Sequence, residues 1–167
     1  MRLDRVDSHQ HRAVGAARAE RAATPAELLQ WVETITGAPA HNCFEISGGN
    51  RCRSWGVDVA GPGGRIQPLY LRYQPPRPPS AEPYTVWREA KIYAALRNSP
   101  VPAPRLIAIH PDVQAMLTER VAGRAKYRRI EAQRERVTIF QEFIVALAKL
   151  HRMPLENLDI PGAAPAC

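Results

Sequence analysis

The sequence predicts an α+β fold, and three observations carry the prediction. Residues 43–73 hold three runs rich in β-branched and apolar side chains, parted by glycine-rich turns, as in an antiparallel meander. Amphipathic stretches with helix-capping residues flank it, at 24–36 and about 85–97. A longer amphipathic stretch follows at about 130–152. With 167 residues and 45% hydrophobic content, the chain is the size of one domain or one lobe and has enough apolar surface for a core.

Residues 1–23 are rich in arginine and alanine without a clear apolar stripe, and read as a mobile or weakly helical tail. His9 and His11 lie there with no carboxylate or thiol cluster beside them, which favours solvated tail residues over metal ligands. The pattern changes at "TPAELLQWVETITG". Thr24 is placed as N-cap, Pro25 at the first helical position, Glu27 to close a capping box, and Gly37 to stop the helix. Leu28, Leu29, Val32 and Ile35 share its apolar face.

Strands are expected at about 43–47, 53–60 and 66–73, with "GPGG" at 61–64 as the turn between the last two. Between the first two lies Ser47-Gly48-Gly49-Asn50. Its glycines let backbone N–H groups approach an anion closely, so it is either a phosphate cradle or a hairpin turn using glycine for its freedom alone. It matches neither G-x-x-x-x-G-K-[ST] nor a full G-x-G-x-x-G. Arg51 and Arg53 would add charge beside a phosphate, or serve simply as surface arginines of a hairpin.

The third strand, "PLYLRYQPP", carries Arg72 inside an apolar run. Helix 85–97, with Thr85 as N-cap, places Glu89 on the stripe of Ile92, Tyr93 and Leu96. A buried charge needs a partner, and Arg72 and Glu89 are each other's best counter-ion; the alternative has Arg72 reaching the sheet edge with Glu89 off the stripe. A glycine turn, a strand cation and a helix acid together have the organisation of a protein-kinase-like small lobe, where the cation holds nucleotide phosphates and the acid holds the cation.

Lys and Arg number 23 against 16 Asp and Glu, a net charge of +7 that favours anionic partners. Cys43, Cys52 and Cys167 form no zinc-like spacing or paired framework, which suits a reducing cytoplasm. No apolar stretch approaches the roughly 20 residues of a membrane span, so no membrane role is expected. The basic segment "GRAKYRRIEAQRERV" is interleaved with acids and lacks stacking aromatics beyond Tyr127, which argues against nucleic acid as partner.

Five segments taken in order, "ISGGNRCRSWGVDV", "LYLRYQPP", "VWREAKIYAALRNSPVPAPRLIAIHPD", "MLTERVAG" and "FIVALAKLHRMPLENLDIPG", resemble the aminoglycoside phosphotransferase superfamily over about residues 25–162. The arginine strand followed by prolines looks most like the branch related to kinase domains associated with acyl-CoA dehydrogenases. The resemblance implies a sheet of about five strands with a packed helix, a nucleotide-binding small lobe and hinge at 24–123, and the start of a helical lobe at 124–167. It implies ATP as cofactor, bound through Ser47, Gly48, Gly49, Asn50, Arg72 and Glu89. Backbone groups of Glu119 and Val121 would meet the adenine edge, Thr118 would guard the back of the pocket, and Gly123 would close the hinge. Arg72 stands where many members carry lysine, and the two are not interchangeable.

The last helix puts Ile139, Phe140, Phe143, Ile144, Leu147, Leu150 and His151 on one face, and His151 reads as structural. A kinase catalytic loop reads H-x-D-x-x-x-x-N. After His110 and Asp112 the asparagine place holds Leu117; after His151 the two places hold Met153 and Leu158. The expectation is therefore an amino-terminal portion of a small-molecule kinase, inactive alone, with no catalytic residue of its own and with the Mg²⁺ ligands elsewhere. In the full enzyme the ATP γ-phosphate would pass to the hydroxyl of a small-molecule substrate. The competing class is a non-catalytic protein that binds a nucleotide or a partner, with self-association or a second chain covering the apolar helix face.

Overall fold

The computed structural model describes residues 22–46, 51–77, 84–123 and 126–154. Helix α1 spans Pro25–Thr36 and forms the expected capping box: Thr24 Oγ1 accepts from the Glu27 N–H and the Glu27 carboxylate accepts from the Thr24 N–H. Gly37 ends it at φ 67°, a left-handed conformation that suits glycine. Leu28 and Val32 are buried, while Ile35, expected on the same face, is 45% exposed. Ile35 is the penultimate residue of α1, where the chain turns away into β1.

Strands β1 (Ala40–Glu45), β2 (Arg53–Ala60) and β3 (Ile66–Tyr73) form the antiparallel meander. β1 begins three residues before the expected start, because Ala40 already pairs with Val59 and its N–H is held by Glu33 Oε1 at 2.9 Å. A short 3-10 turn at Pro62–Gly64 joins β2 to β3, with Gly63 and Gly64 at φ 70° and 75°. Helix α2 (Val86–Leu96) then leads to β4 (Leu106–Ile109) and β5 (Ala115–Glu119). The sheet order is β1-β2-β3-β5-β4, antiparallel throughout. Helix α3 spans Gln133–His151.

Strand alternation divides the core between the two faces of the sheet. On one face Trp55, Val57, Val59, Leu69, Leu71 and Leu117 pack with Leu28 and Val32 of α1. Each such aliphatic burial contributes about 1.5–3 kcal/mol. On the other face Met116 packs with Val86 and Ala90 of α2, joined by partly buried Tyr93 and Leu106. Arg72, between Leu71 and Tyr73, faces this second, thinner layer. No helix among the described residues is long and apolar enough to cross a membrane.

α3 contributes no buried residue. Its expected core face is open in this chain: Phe140 and Phe143 are each 58% exposed.

Candidate functional site

The cation of β3 meets the acid of α2. Arg72 Nε lies 3.1 Å from Glu89 Oε2, with side chains 34% and 30% exposed. The pairing expected from sequence is formed, but at the margin of the core. The buried residues of α2 are Val86 and Ala90, so its buried stripe runs one residue to the side of Glu89, and Ile92 is exposed. The Nε–H does not point along the 3.1 Å approach and makes no directed hydrogen bond, so the contact is an ion pair held by distance.

Burial works against the Arg72 charge, but Glu89 foremost, with Cys52 and Tyr70, more than offsets it, and the guanidinium pKa rises above its ordinary value. Arg72 is a permanent cation. Tyr93 donates to the other Glu89 oxygen at 3.4 Å, and burial together with the Glu89 charge pushes its phenol pKa up. Tyr70, two residues before Arg72 and on the same strand face, donates to Ser54 Oγ at 2.8 Å.

The pair borders a cleft of about 330 Å³ whose lining includes Arg51, Cys52, Arg72, Arg88, Glu89 and Ile92. Among the described residues of its lining, three arginines from three separate segments accompany a single carboxylate, a balance that suits an anion. Arg53, weighed with Arg51 as a phosphate contact, instead pairs with Glu45 at 3.2 Å and lies 5.0 Å from the Trp55 ring centroid. Ser47, Gly48, Gly49 and Asn50 lie outside the described residues.

At the other end of the sheet face, Thr118 is buried on β5 and its hydroxyl donates to the Glu119 carbonyl at 3.1 Å. The Glu119 N–H donates to the Arg105 carbonyl at 3.0 Å, and its carboxylate lies 3.5 Å from Arg105 Nε. The Glu119 N–H is therefore taken, and its carbonyl accepts from the neighbouring Thr118 hydroxyl. Val121 is 66% exposed, and Gly123 has φ 151°, a conformation L side chains rarely adopt.

One constellation just past the end of β5 was not legible in the sequence. Arg120 Nη2 bonds Asp58 Oδ1 at 2.7 Å while its guanidinium lies 5.0 Å from the Phe44 ring centroid. Gly56 makes room for both: a Cβ there would sit 2.3 Å from Phe44 Cζ and 2.6 Å from Arg120 Nη1. The signal in the sequence was Asp58, a single acid inside the apolar run of β2. Among the described residues no group of three or more His, Cys, Asp or Glu is placed to hold a metal ion.

The profile of the phosphotransferase enzyme family, APH, matches residues 45–165. No curated protein matches the chain. Among solved structures, a thermostable variant of the aminoglycoside phosphotransferase APH(4)-Ia, in ternary complex with AMP-PNP and hygromycin B, is 16% identical with a TM-score of 0.55. That match covers 78% of this chain and 40% of the other. A candidate fructosamine-3-kinase from Thermobifida fusca YX-ER1 is 22% identical with a TM-score of 0.46, covering 62% of this chain and 34% of that one. The chain thus spans two fifths or less of these two solved structures. A five-stranded antiparallel sheet with a packed helix, superposable on a phosphotransferase, is a kinase-like small lobe, and with the family profile covering well over half its length the chain belongs to the phosphotransferase enzyme family.

Proposed function

We propose that this chain supplies the nucleotide-binding lobe and hinge of a small-molecule kinase. The observation that carries the reading is the Arg72–Glu89 ion pair at the edge of an arginine-lined cleft. Arg72 holds ATP phosphate oxygens, Glu89 holds Arg72 in place, and Arg51 and Arg88 add positive charge to the same cleft. Ser47, Gly48, Gly49 and Asn50 are proposed as further phosphate contacts. The Glu119 carbonyl and the backbone of Val121 meet the adenine edge, with Thr118 behind it. The AMP-PNP bound by APH(4)-Ia supports nucleotide as the ligand class.

In the complete enzyme the γ-phosphorus forms a bond to a substrate hydroxyl oxygen as its bond to the β–γ bridging oxygen breaks and ADP leaves. We assign the magnesium ligands and the base that takes the hydroxyl proton to the second lobe of the enzyme. The proposed setting is the cytoplasm, where ATP is available.

Substitution tests the central pair. Arg72→Ala should weaken Mg·ATP binding to the complete enzyme about tenfold or more, the scale of one charge-assisted hydrogen bond. Unchanged affinity in calorimetric titration would remove Arg72 from the phosphate site. A second reading, a non-catalytic nucleotide- or partner-binding protein, is favoured by the open face of α3. It predicts nucleotide binding with no phosphoryl transfer to any hydroxyl acceptor by the complete protein.

A further inference from the structure

The first N–H groups of a helix have no partner within it and are usually met by local side chains. In α2 only one of them is met this way: Arg88 N–H donates to Thr85 Oγ1 at 3.1 Å. The other two are met from the sheet. Val86 N–H donates to Gln74 Oε1, just past β3, and Trp87 N–H to Gln114 Oε1, in the β4–β5 connection, both at 3.1 Å. The glutamines are tied to each other, the Gln74 N–H donating to the Gln114 carbonyl at 2.8 Å. A further bond, from Trp87 Nε1 to the His110 carbonyl at 3.2 Å, fixes the same turn of helix to the same connection.

These contacts set both the position of α2 along its axis and its rotation about it. Glu89 begins the next turn, and a slip of one residue would move it 1.5 Å along the axis and turn it 100° about it, enough to break a 3.1 Å contact. The hydrophobic layer beneath α2 is thin, with Val86, Ala90 and Met116 as its buried members among the described residues, and leaves this register weakly specified on its own. We infer that Gln74 and Gln114 are positioning residues: they hold α2 in the register that places Glu89 against Arg72, and so set the phosphate-binding geometry. This rests on the nucleotide reading above. Gln74 also lines the cleft, so a charge there would act on Arg72 directly, and the clean probe is Gln114, outside the cleft lining.

The test is Mg·AMP-PNP affinity of the complete protein. Gln114→Ala should weaken it about fivefold, the worth of a typical helix cap, whereas Gln114→Glu keeps the acceptor and should stay within about twofold of the parent. If Gln114 acts through Glu89, adding Gln114→Ala to Glu89→Gln should cost nothing further. Additive losses, or a Gln114→Ala affinity equal to the parent while Arg72→Ala weakens binding, would overturn the inference. Should Arg72→Ala itself leave affinity unchanged, the nucleotide reading fails, and the register is then decided without ligand. Faster amide exchange at Val86–Arg88 in Gln114→Ala, with loss of the Arg72–Glu89 coupling in thermal unfolding, supports it; unchanged coupling overturns it.

Discussion

Arg72 shows how a single residue can be read from its neighbours. Apolar residues on both sides fix its strand, strand alternation fixes its face, and the cost of burying a lone cation implies an acid nearby. Sequence could not show how deep the pair lies, because depth depends on which side chains of α2 face the sheet. Arg120 and Asp58 were harder to connect, being 62 positions apart and joined only by the pairing of β2, β3 and β5. Asp58→Ala should cost about 1–2 kcal/mol, less than a fully buried pair because both partners retain some solvent. The loss would be read as a lower urea midpoint with unchanged slope. Gly56→Ala should cost about 1–3 kcal/mol through overpacking. Phe44→Ala should rescue most of it, because the ring is the nearer of the two obstacles.

Elements whose signals are local were legible nearly to the residue. The Thr24 and Glu27 capping box, Pro25 and Gly37 bound α1 as expected, and Thr85 caps α2. β1 was misplaced because its start depends on Glu33 and on pairing with β2, neither of them a local signal. Its far end borders Ser47–Asn50, the segment weighed as a phosphate cradle. The two sheet-borne glutamine caps of α2 were not legible, since glutamine is not a usual cap and each reaches its N–H across the fold. Thr24→Ala should remove one half of the capping box and cost about 1 kcal/mol, seen as a fall of several degrees in the melting temperature. Thr24→Ser should restore most of it.

For the molecule as a whole, the two-faced sheet explains why one helix carries the core and the other the candidate site. α1 seals the deeper layer, while α2 rests on the thinner one beside the cleft. α3 shows the limit of pattern reading: its apolar periodicity was visible, but periodicity does not say what covers it. In this chain Phe140 and Phe143 support no core. Phe140→Glu with Phe143→Glu should therefore leave the stability of the chain within about 0.5 kcal/mol while sharply reducing its binding of a hydrophobic dye. A large loss of stability would show that the face packs on this chain after all.

Whether Arg72 meets phosphate is read most directly from the nuclear magnetic resonance signal of its Nε–H, assigned by its absence in Arg72→Lys. Titrated with Mg·AMP-PNP in the complete protein, that signal should shift and saturate with the binding isotherm, while adenosine leaves it in place. A signal unmoved by Mg·AMP-PNP, or moved equally by adenosine, would mean that Arg72 does not meet phosphate.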